Sequence, residues 1–236
     1  MVDEVQGLTF GGGRRTDGRQ MRVVVSGADG PLGVLLCRAL ASDHAVTGIG
    51  QQVAAGGDLG ESRYRQTDLR VPEAVRESLV EAEVIVHAQP HAQPPAAEQD
   101  ADGTEWLDLV ARGTYVLTTA ACDVGIGRIV LISQLNLMED YAEDLAVRSF
   151  WLPLPKADVP GLAPYTAELV CREISRTGRI EVTCLRFGDL DAAEGTSSDD
   201  AVKEVADAIQ RESPDRGHSW TLHHVATAGR FAGGRG

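Results

Sequence analysis

Short apolar runs alternate along the chain with segments whose apolar residues recur at helical spacing. The runs predict strands over residues 21–25, 44–49, 64–66, 84–86, 129–132, 180–185 and 219–222. The helical spacing predicts helices over residues 32–40, 72–80, 105–122, 165–176 and 200–211, with an irregular segment over residues 136–164. Apart from the short strand at residues 64–66, most runs leave no polar side for solvent, which is typical of parallel strands buried on both faces. The alternation therefore predicts an α/β fold with a doubly wound parallel sheet.

The two ends of the chain contain little apolar material. We expect a flexible leader over residues 1–20, a single domain over residues 21–230 and a disordered tail over residues 231–236. The first residues lack the order of basic, apolar and small residues that marks a signal peptide, and no apolar run is long enough to cross a bilayer. These features predict a cytoplasmic protein.

The charge balance limits the classes of partner. The formal net charge is −13, and the chain has only two lysines, Lys156 and Lys203. Nucleic acids and anionic membranes are bound through clustered Lys and Arg that displace counterions from phosphates. We therefore expect neither partner, and a small-molecule substrate instead.

The cysteines and histidines do not predict a metal site. The four cysteines share no metal-type spacing and each lies in an apolar pattern, so buried reduced thiols are expected at Cys37, Cys122, Cys171 and Cys184. The repeat His-Ala-Gln-Pro over residues 87–94 has no cysteine or carboxylate at ligand spacing beside it. A loop over a cofactor is the preferred interpretation of this repeat, and no metal is predicted.

A glycine-rich turn joins the first predicted strand to the first predicted helix. Glycine allows a tight bend there and lets backbone amides approach a diphosphate, at which the helix N-terminus then points. The position between a buried strand and an amphipathic helix supports a Rossmann-like dinucleotide site. The predicted phosphate-binding residues are Gly27, Asp29, Gly30, Pro31, Leu32 and Gly33.

The choice between NAD and NADP depends on the end of the second strand. An acidic residue there would bind the ribose 2′-hydroxyl, whereas a nearby Arg would favour a 2′-phosphate. The position is occupied by Gly50, followed by Gln51 and Gln52, so neither rule is met. Gly50 leaves room for a phosphate, and Arg63 or Arg65 is either a phosphate ligand or an ordinary surface residue. Both NAD and NADP stay open.

The segment from Ser26 to Gly33 resembles the phosphate loop of the extended short-chain dehydrogenase/reductases, the NAD-dependent epimerase/dehydratase family. Further segments of the chain, within about residues 21–225, agree in order and spacing: Asp68-Leu69-Arg70, Val86-His87-Ala88, Gly113-Thr114, Ile132-Ser133, Tyr165 and Arg186 to Gly188. The resemblance implies further cofactor contacts at Asp68, Leu69, His87, Ala88 and Arg186. It also implies a single compact domain with a reduced C-terminal substrate region, because only about ten residues separate Gly188 from Ser198.

The catalytic residues that the resemblance implies are incomplete. The family uses a Tyr-x-x-x-Lys helix, which aligns Tyr165 with the catalytic tyrosine but places Leu169 where the lysine belongs; Glu173 matches an acidic residue found later in that helix. A tyrosine without a neighbouring cation titrates near 10. The hydroxyl that orients the substrate falls at Ser133 or at Gln134. Tyr165 is therefore either the acid/base or a tyrosine that packs against the sheet.

Two functions follow from the sequence. One is an oxidoreductase or epimerase/dehydratase that acts on a small carbonyl or hydroxyl substrate. The other is a non-catalytic dinucleotide sensor or scaffold. Helices 105–122 and 165–176 resemble the faces through which the family forms dimers, so a homodimer is possible. Residues 140–153 are interpreted as a substrate lid or as a packed cap.

Overall fold

The computed structural model of the protein describes residues 19–94, 100, 102–211 and 219–232. Its seven strands are β1 (Arg22–Ser26), β2 (Ala45–Gly50), β3 (Arg63–Gln66), β4 (Val84–His87), β5 (Arg128–Gln134), β6 (Glu181–Phe187) and β7 (Trp220–Val225). Its five α-helices are α1 (Pro31–Leu40), α2 (Pro72–Ser78), α3 (Thr104–Val124), α4 (Val159–Ser175) and α5 (Ser198–Gln210). Short 3-10 turns follow β4 at Gln89–His91 and β5 at Leu135–Met138.

The strands form one sheet in the order β3-β2-β1-β4-β5-β6-β7, and all neighbouring pairs are parallel. The chain order reverses between β1 and β4, which creates a crevice at the carboxyl edge of the sheet. Open α/β sheets bind ligands at such a switch point. The predicted doubly wound α/β fold with a single Rossmann-like domain is confirmed.

Apolar side chains cover both faces of the sheet. On one face Val24, Ile85 and Ile129 pack under α2, α3 and α4. On the other face, strand residues such as Val25 and Ile132 pack under α1 and α5. This two-sided burial explains why the central strands are mostly apolar, whereas the edge strand β3 is polar and mostly exposed. Three of the four free cysteines are buried as predicted, whereas Cys122 is half-buried.

Helix α4 begins earlier than the sequence pattern predicts. Residues up to 164 were expected to be irregular because of their prolines, but the helix starts at Val159, capped by the Asp158 carboxylate on the Gly161 N–H at 2.9 Å. A proline at the first turn needs no N–H. Pro164 lacks the N–H that would reach the Pro160 carbonyl, and that oxygen instead accepts from Asn136 Nδ2 at 3.5 Å.

The predicted chain ends differ in part from the structure. Phe231, placed in the predicted tail, is buried and packs with Leu137, Met138 and Val147. Arg19, placed in the predicted leader, forms an ion pair with Glu83 at 2.5 Å. Residues 1–18 of the predicted leader and residues 233–236 of the predicted tail lie outside the described residues. Within the described part of the chain, none of the helices combines the length and apolarity that a bilayer crossing needs.

Candidate dinucleotide-binding site

The glycine turn brings the start of α1 close to the ends of β1 and β4. Gly27 has φ +75°, and a Cβ there would lie 2.9 Å from the backbone nitrogen of Gln89. A Cβ on Gly33 would lie 2.1 Å from the Gly27 carbonyl oxygen. Gly30 N–H donates to that same carbonyl at 2.9 Å, which closes the turn. The glycines are therefore required by close backbone packing as well as by the turn.

A cavity of about 270 Å³ lies directly above this turn. Its lining includes Gly27, Gly30, Pro31, Leu32, Gly33 and Ala88. The first-turn N–H groups of a helix have no intrahelical acceptors, and the helix dipole favours an anion there. The residues present fit a diphosphate group.

Replacing Gly33 with alanine tests this geometry. Because the new Cβ would lie 2.1 Å from backbone, α1 must move away from the turn. We expect Gly33→Ala to weaken dinucleotide binding by more than about tenfold and to lower the thermal unfolding midpoint. Gly127→Ala is the matched control, because no atom lies within 4 Å of a Cβ at Gly127. Equal binding by the two variants in a fluorescence titration would contradict the close packing.

His87 lies behind the turn rather than in the cavity. Its Nδ1 is 2.6 Å from Ser26 Oγ and its Nε2 is 2.8 Å from Thr114 Oγ1. Thr114 Oγ1 in turn donates to the Val110 carbonyl at 2.5 Å. The imidazole is fully buried, and burial lowers its pKa from 6.5 to about 3. The side chain of His87 therefore joins β1, β4 and α3, and Ala88 rather than His87 lines the cavity above the turn.

Asp68 and Leu69 follow β3 at the same edge of the sheet. The Asp68 carboxylate accepts from Arg70 Nη2 at 2.9 Å, and the hydrogen bonds from Arg70 lower the Asp68 pKa. Arg70 also binds Glu105 at 2.7 Å. Leu69 is buried beneath α3, where a Cβ on Gly113 would lie 2.9 Å from Leu69 Cβ. Asp68 and Leu69 are thus held against α3 through Arg70 and Gly113, and neither residue lines the cavity above the glycine turn.

A second cavity, of about 420 Å³, adjoins the first and shares His91, Ala92, Gln93 and Asp189 with it. Its lining includes Gln134 at the end of β5, Leu135 and Asn136 of the following 3-10 turn, and Pro160 and Pro164 of α4. Gln134 Nε2 donates to the Pro90 carbonyl at 3.0 Å. Two prolines form the wall that α4 contributes to this cavity.

His91 is the histidine of the Pro-rich loop that borders both cavities. It is buried, its Nε2 is 3.2 Å from the Gly188 carbonyl oxygen, and burial lowers its pKa. A neutral imidazole that donates to this carbonyl holds the loop after β4 against the loop after β6. Among the described residues, no three His, Cys, Asp or Glu side chains form a group suited to a metal.

The structure does not bring Tyr165 and Ser133 to the cavity that Gln134 lines. Tyr165 packs against the buried cluster that contains Leu137 and Met138, and it lines a different cavity, of about 410 Å³, together with Leu169. Ser133 is fully buried, and its hydroxyl has no hydrogen-bond partner among the described residues. Of the three predicted catalytic residues, only Gln134 reaches the cavity beside the glycine turn.

Arg186 likewise lies away from the glycine turn. Its guanidinium is buried and binds the Glu168 carboxylate through two bonds, Nε to Oε1 and Nη2 to Oε2, both 2.7 Å. The Nη1 atom lies 3.3 Å from His224 Nε2, and burial together with the Arg186 charge lowers the His224 pKa to about 4. Arg186 therefore fixes α4 on β6, and the structure gives it no contact with the phosphate cavity.

The buried ion pair changes how α4 is aligned with the family's helix. The sequence alignment used Glu173, eight residues after Tyr165, as the acidic residue, but Glu173 is exposed and faces Arg176 at 3.5 Å. Glu168 is the acid that the fold buries. Counting back from Glu168 by eight and by four residues gives Pro160 and Pro164, the prolines that line the cavity. With Glu168 taken as the acid of the resembled helix, the positions that the resemblance assigns to tyrosine and lysine fall on these two prolines.

The sequence itself contains a signal that favours alignment of α4 through Glu168 over alignment through Tyr165. Glu168 is one of two acids in the helix, and it alone lies in the apolar stripe with Ala167 and Cys171. An acid in an apolar stripe requires a buried partner. Arg186, within the continuously buried strand β6, is the matching cation.

Comparison with known proteins agrees with the fold and the turn. The model of the NAD dependent epimerase/dehydratase family matches residues 23–213. The chain belongs to this family. The predicted resemblance is thereby confirmed, and NAD is the cofactor that the family assigns. The NAD-dependent epimerase/dehydratase family places the chain among NAD-dependent oxidoreductases, epimerases and dehydratases.

Solved structures share the fold at low sequence identity. A mutated uronate dehydrogenase is 19% identical with a TM-score of 0.73, covering 89% of this chain and 76% of that one. DesIV, a dTDP-glucose 4,6-dehydratase from Streptomyces venezuelae with NAD and TYD bound, is 17% identical with a TM-score of 0.71, covering 87% and 75%. A UDP-glucose 4-epimerase from Thermus thermophilus in complex with NAD is 19% identical with a TM-score of 0.63, covering 72% and 56%. Curated proteins gave no significant match.

Proposed function

We propose that the protein binds NAD at the switch point of the sheet and, unlike the catalytic members of its family, serves as a non-catalytic dinucleotide sensor or scaffold. The observation that carries this proposal is the pair of prolines, Pro160 and Pro164, on the α4 wall of the cavity beside the glycine turn. A proline side chain neither donates nor accepts a proton, and its ring nitrogen carries no N–H. Bound NAD would supply a hydride acceptor, but α4 supplies neither the phenol nor the ammonium that the family uses at these positions.

The remaining polar groups around Gln134 support binding more than proton transfer. The Gln134 amide is held by the Pro90 carbonyl at 3.0 Å, and an amide is a poor relay for a proton. His91 is held by the Gly188 carbonyl, and burial lowers its pKa, so it stays neutral at pH 7. Both side chains tie loops together at the mouth of the cavity.

A single experiment separates binding from catalysis. NADH binding is followed by fluorescence, and hydride transfer is followed with panels of small carbonyl and hydroxyl substrates. We expect saturable NADH binding with no measurable turnover. Tyr165→Phe should leave NADH affinity within about twofold, because this side chain lines a different cavity. Turnover that Tyr165→Phe abolishes would overturn the placement of α4, and absence of binding by wild type would overturn the cofactor proposal.

An oxidoreductase or epimerase/dehydratase on a small substrate is the second candidate. The observation that favours it is the cavity of about 420 Å³, whose lining includes the carboxylates of Glu139, Asp189 and Glu194. A carboxylate can act as a general base once a substrate is positioned within hydrogen-bond reach. Turnover that survives Tyr165→Phe but is lost on replacing one of these acids by its amide would favour this candidate over the sensor.

A further inference from the structure

We propose that Asp29, which the glycine turn itself carries, binds the adenosine ribose and makes the protein select NAD over NADP. The inference rests on the proposed binding of NAD and names the residue that sets the cofactor preference. In sheets of this kind the ribose-binding acid comes from the end of the second strand. Strand β2 ends here in Gly50, followed by two glutamines.

The Asp29 carboxylate lies at the position that a side chain after β2 would otherwise occupy. Its Oδ2 accepts from the backbone N–H of Gln51 at 2.8 Å and from that of Gln52 at 3.2 Å. These two residues are the first after β2. The chain therefore replaces the missing acid of β2 with an acid that arrives from the neighbouring turn.

Two glycines, Gly50 at the end of β2 and Gly56 in the loop that follows, provide the space that Asp29 occupies. A Cβ on Gly50 would be 2.6 Å from Asp29 Cγ and 2.7 Å from Oδ1. A Cβ on Gly56 would be 2.2 Å from the Asp29 carbonyl oxygen. The loop also donates from Gly56 N–H to the Ala28 carbonyl at 3.1 Å. The β2 loop is thus packed closely around Asp29, and Gly50 has a structural reason to lack a side chain.

The loop is held from its other side by residues of β3. Tyr64 donates its hydroxyl to the Gln52 carbonyl at 2.8 Å, and Gln66 Nε2 donates to the Gln51 carbonyl at 3.0 Å. The backbone N–H and carbonyl groups of both Gln51 and Gln52 are therefore hydrogen-bonded, so the loop after β2 is preorganised. Within the described residues Asp29 accepts hydrogen bonds only through Oδ2, so Oδ1 is the oxygen that a ribose hydroxyl would meet.

The same arrangement disfavours a 2′-phosphate. A phosphate at this position would need N–H donors or an Arg, but the amides of Gln51 and Gln52 already donate to a carboxylate. The Arg65 guanidinium binds Glu77 at 2.7 Å. Arg63 lies at the far end of β3 from this position, because it pairs in register with Thr47, whereas Gly50 pairs with Gln66. The negative charge of Asp29 would also repel the phosphate.

Binding titrations of Asp29→Asn with NADH and NADPH test the inference without any measurement of activity. Wild type should bind NADH at least about tenfold more tightly than NADPH, and Asp29→Asn should reduce this ratio by about tenfold, as expected for one charged hydrogen bond. Asp29→Ser, a shorter side chain, should reduce it similarly if the Asn variant folds poorly. Circular dichroism confirms that each variant is folded.

Asp58→Asn is the matched control, since it removes one negative charge from the same loop at an exposed position, where Asp58 accepts from Gly60 N–H at 2.9 Å. Its NADH to NADPH ratio should equal that of wild type. An unchanged ratio in both Asp29 variants, with NADH still bound, would overturn the role of Asp29 and leave the proposed function standing. Failure of wild type to bind either dinucleotide would instead overturn the proposed function.

Discussion

Glu168→Gln should destabilise the protein by about 3 kcal/mol or more, because it leaves the buried Arg186 guanidinium without a counter-charge. The side chains of Arg186 and Glu168 are 1% and 6% exposed, and two bonds of 2.7 Å join them. Gln keeps the size of the side chain, so the loss reports the charge rather than a cavity. Urea unfolding at pH 7 measures it.

Glu173→Gln provides the control on the same helix. Glu173 is about half exposed and forms ion pairs with Arg172 and Arg176, so its replacement should cost less than about 1 kcal/mol. Replacing both buried partners, by Glu168→Leu and Arg186→Met, should recover much of the lost stability since no charge is then left unpaired. Equal losses in Glu168→Gln and Glu173→Gln would show that the buried pair does not hold α4 on β6.

The central strands could be predicted from sequence because burial on both faces requires continuous apolar runs. Even the weak run at residues 219–222 is a strand, Trp220–Val225, at the edge of the sheet. The start of α4 could not be predicted in the same way. Pro160 is tolerated in a first turn, and the Pro160 carbonyl freed by Pro164 is bonded by Asn136, a residue 24 positions away. Intrinsic helix propensity contains no information about such a long-range contact.

The glycine turn was predictable because its requirements are local. Gly27 needs a positive φ, and Gly33 must touch the turn that precedes it by a few residues. The catalytic positions were not predictable in the same way, because Tyr165 offered a local match to the family's helix. The alignment that the fold selects depends on the partner of Glu168, which lies 18 residues away on another element.

The acid at the ribose position shows the same limit. The sequence rule examines the residues after β2 and finds Gly50, Gln51 and Gln52, so it returns no preference. The carboxylate reaches that position from Asp29, 22 residues before Gln51. The rule identifies the correct position in the fold. Which residue places its side chain there, however, depends on the packing of the glycine turn against the loop after β2.

The stability of the protein should fall as the pH decreases below about 6.5, and His87 should be a principal cause. Burial lowers the pKa of this imidazole to about 3, whereas an unfolded chain restores its ordinary value of 6.5. Between these values the unfolded state binds a proton that the folded state does not. The stability due to the neutral imidazole is therefore complete above pH 6.5 and is lost, by up to about 1.4 kcal/mol per pH unit, as the pH falls toward 3.

His87→Gln isolates this contribution. Gln cannot titrate but keeps a donor and an acceptor for Ser26 and Thr114, which bond the two ring nitrogens. The variant should be less stable at pH 7 and should show a flatter decline between pH 7 and 5.5 in urea unfolding, where carboxylates with ordinary pKa values stay ionised. The histidines His44, His91 and His224, whose pKa values burial also lowers, give the variant a residual slope. Parallel profiles for wild type and His87→Gln would mean that the pKa of this imidazole is not lowered in the folded protein, which would contradict its burial as a neutral ring between Ser26 and Thr114.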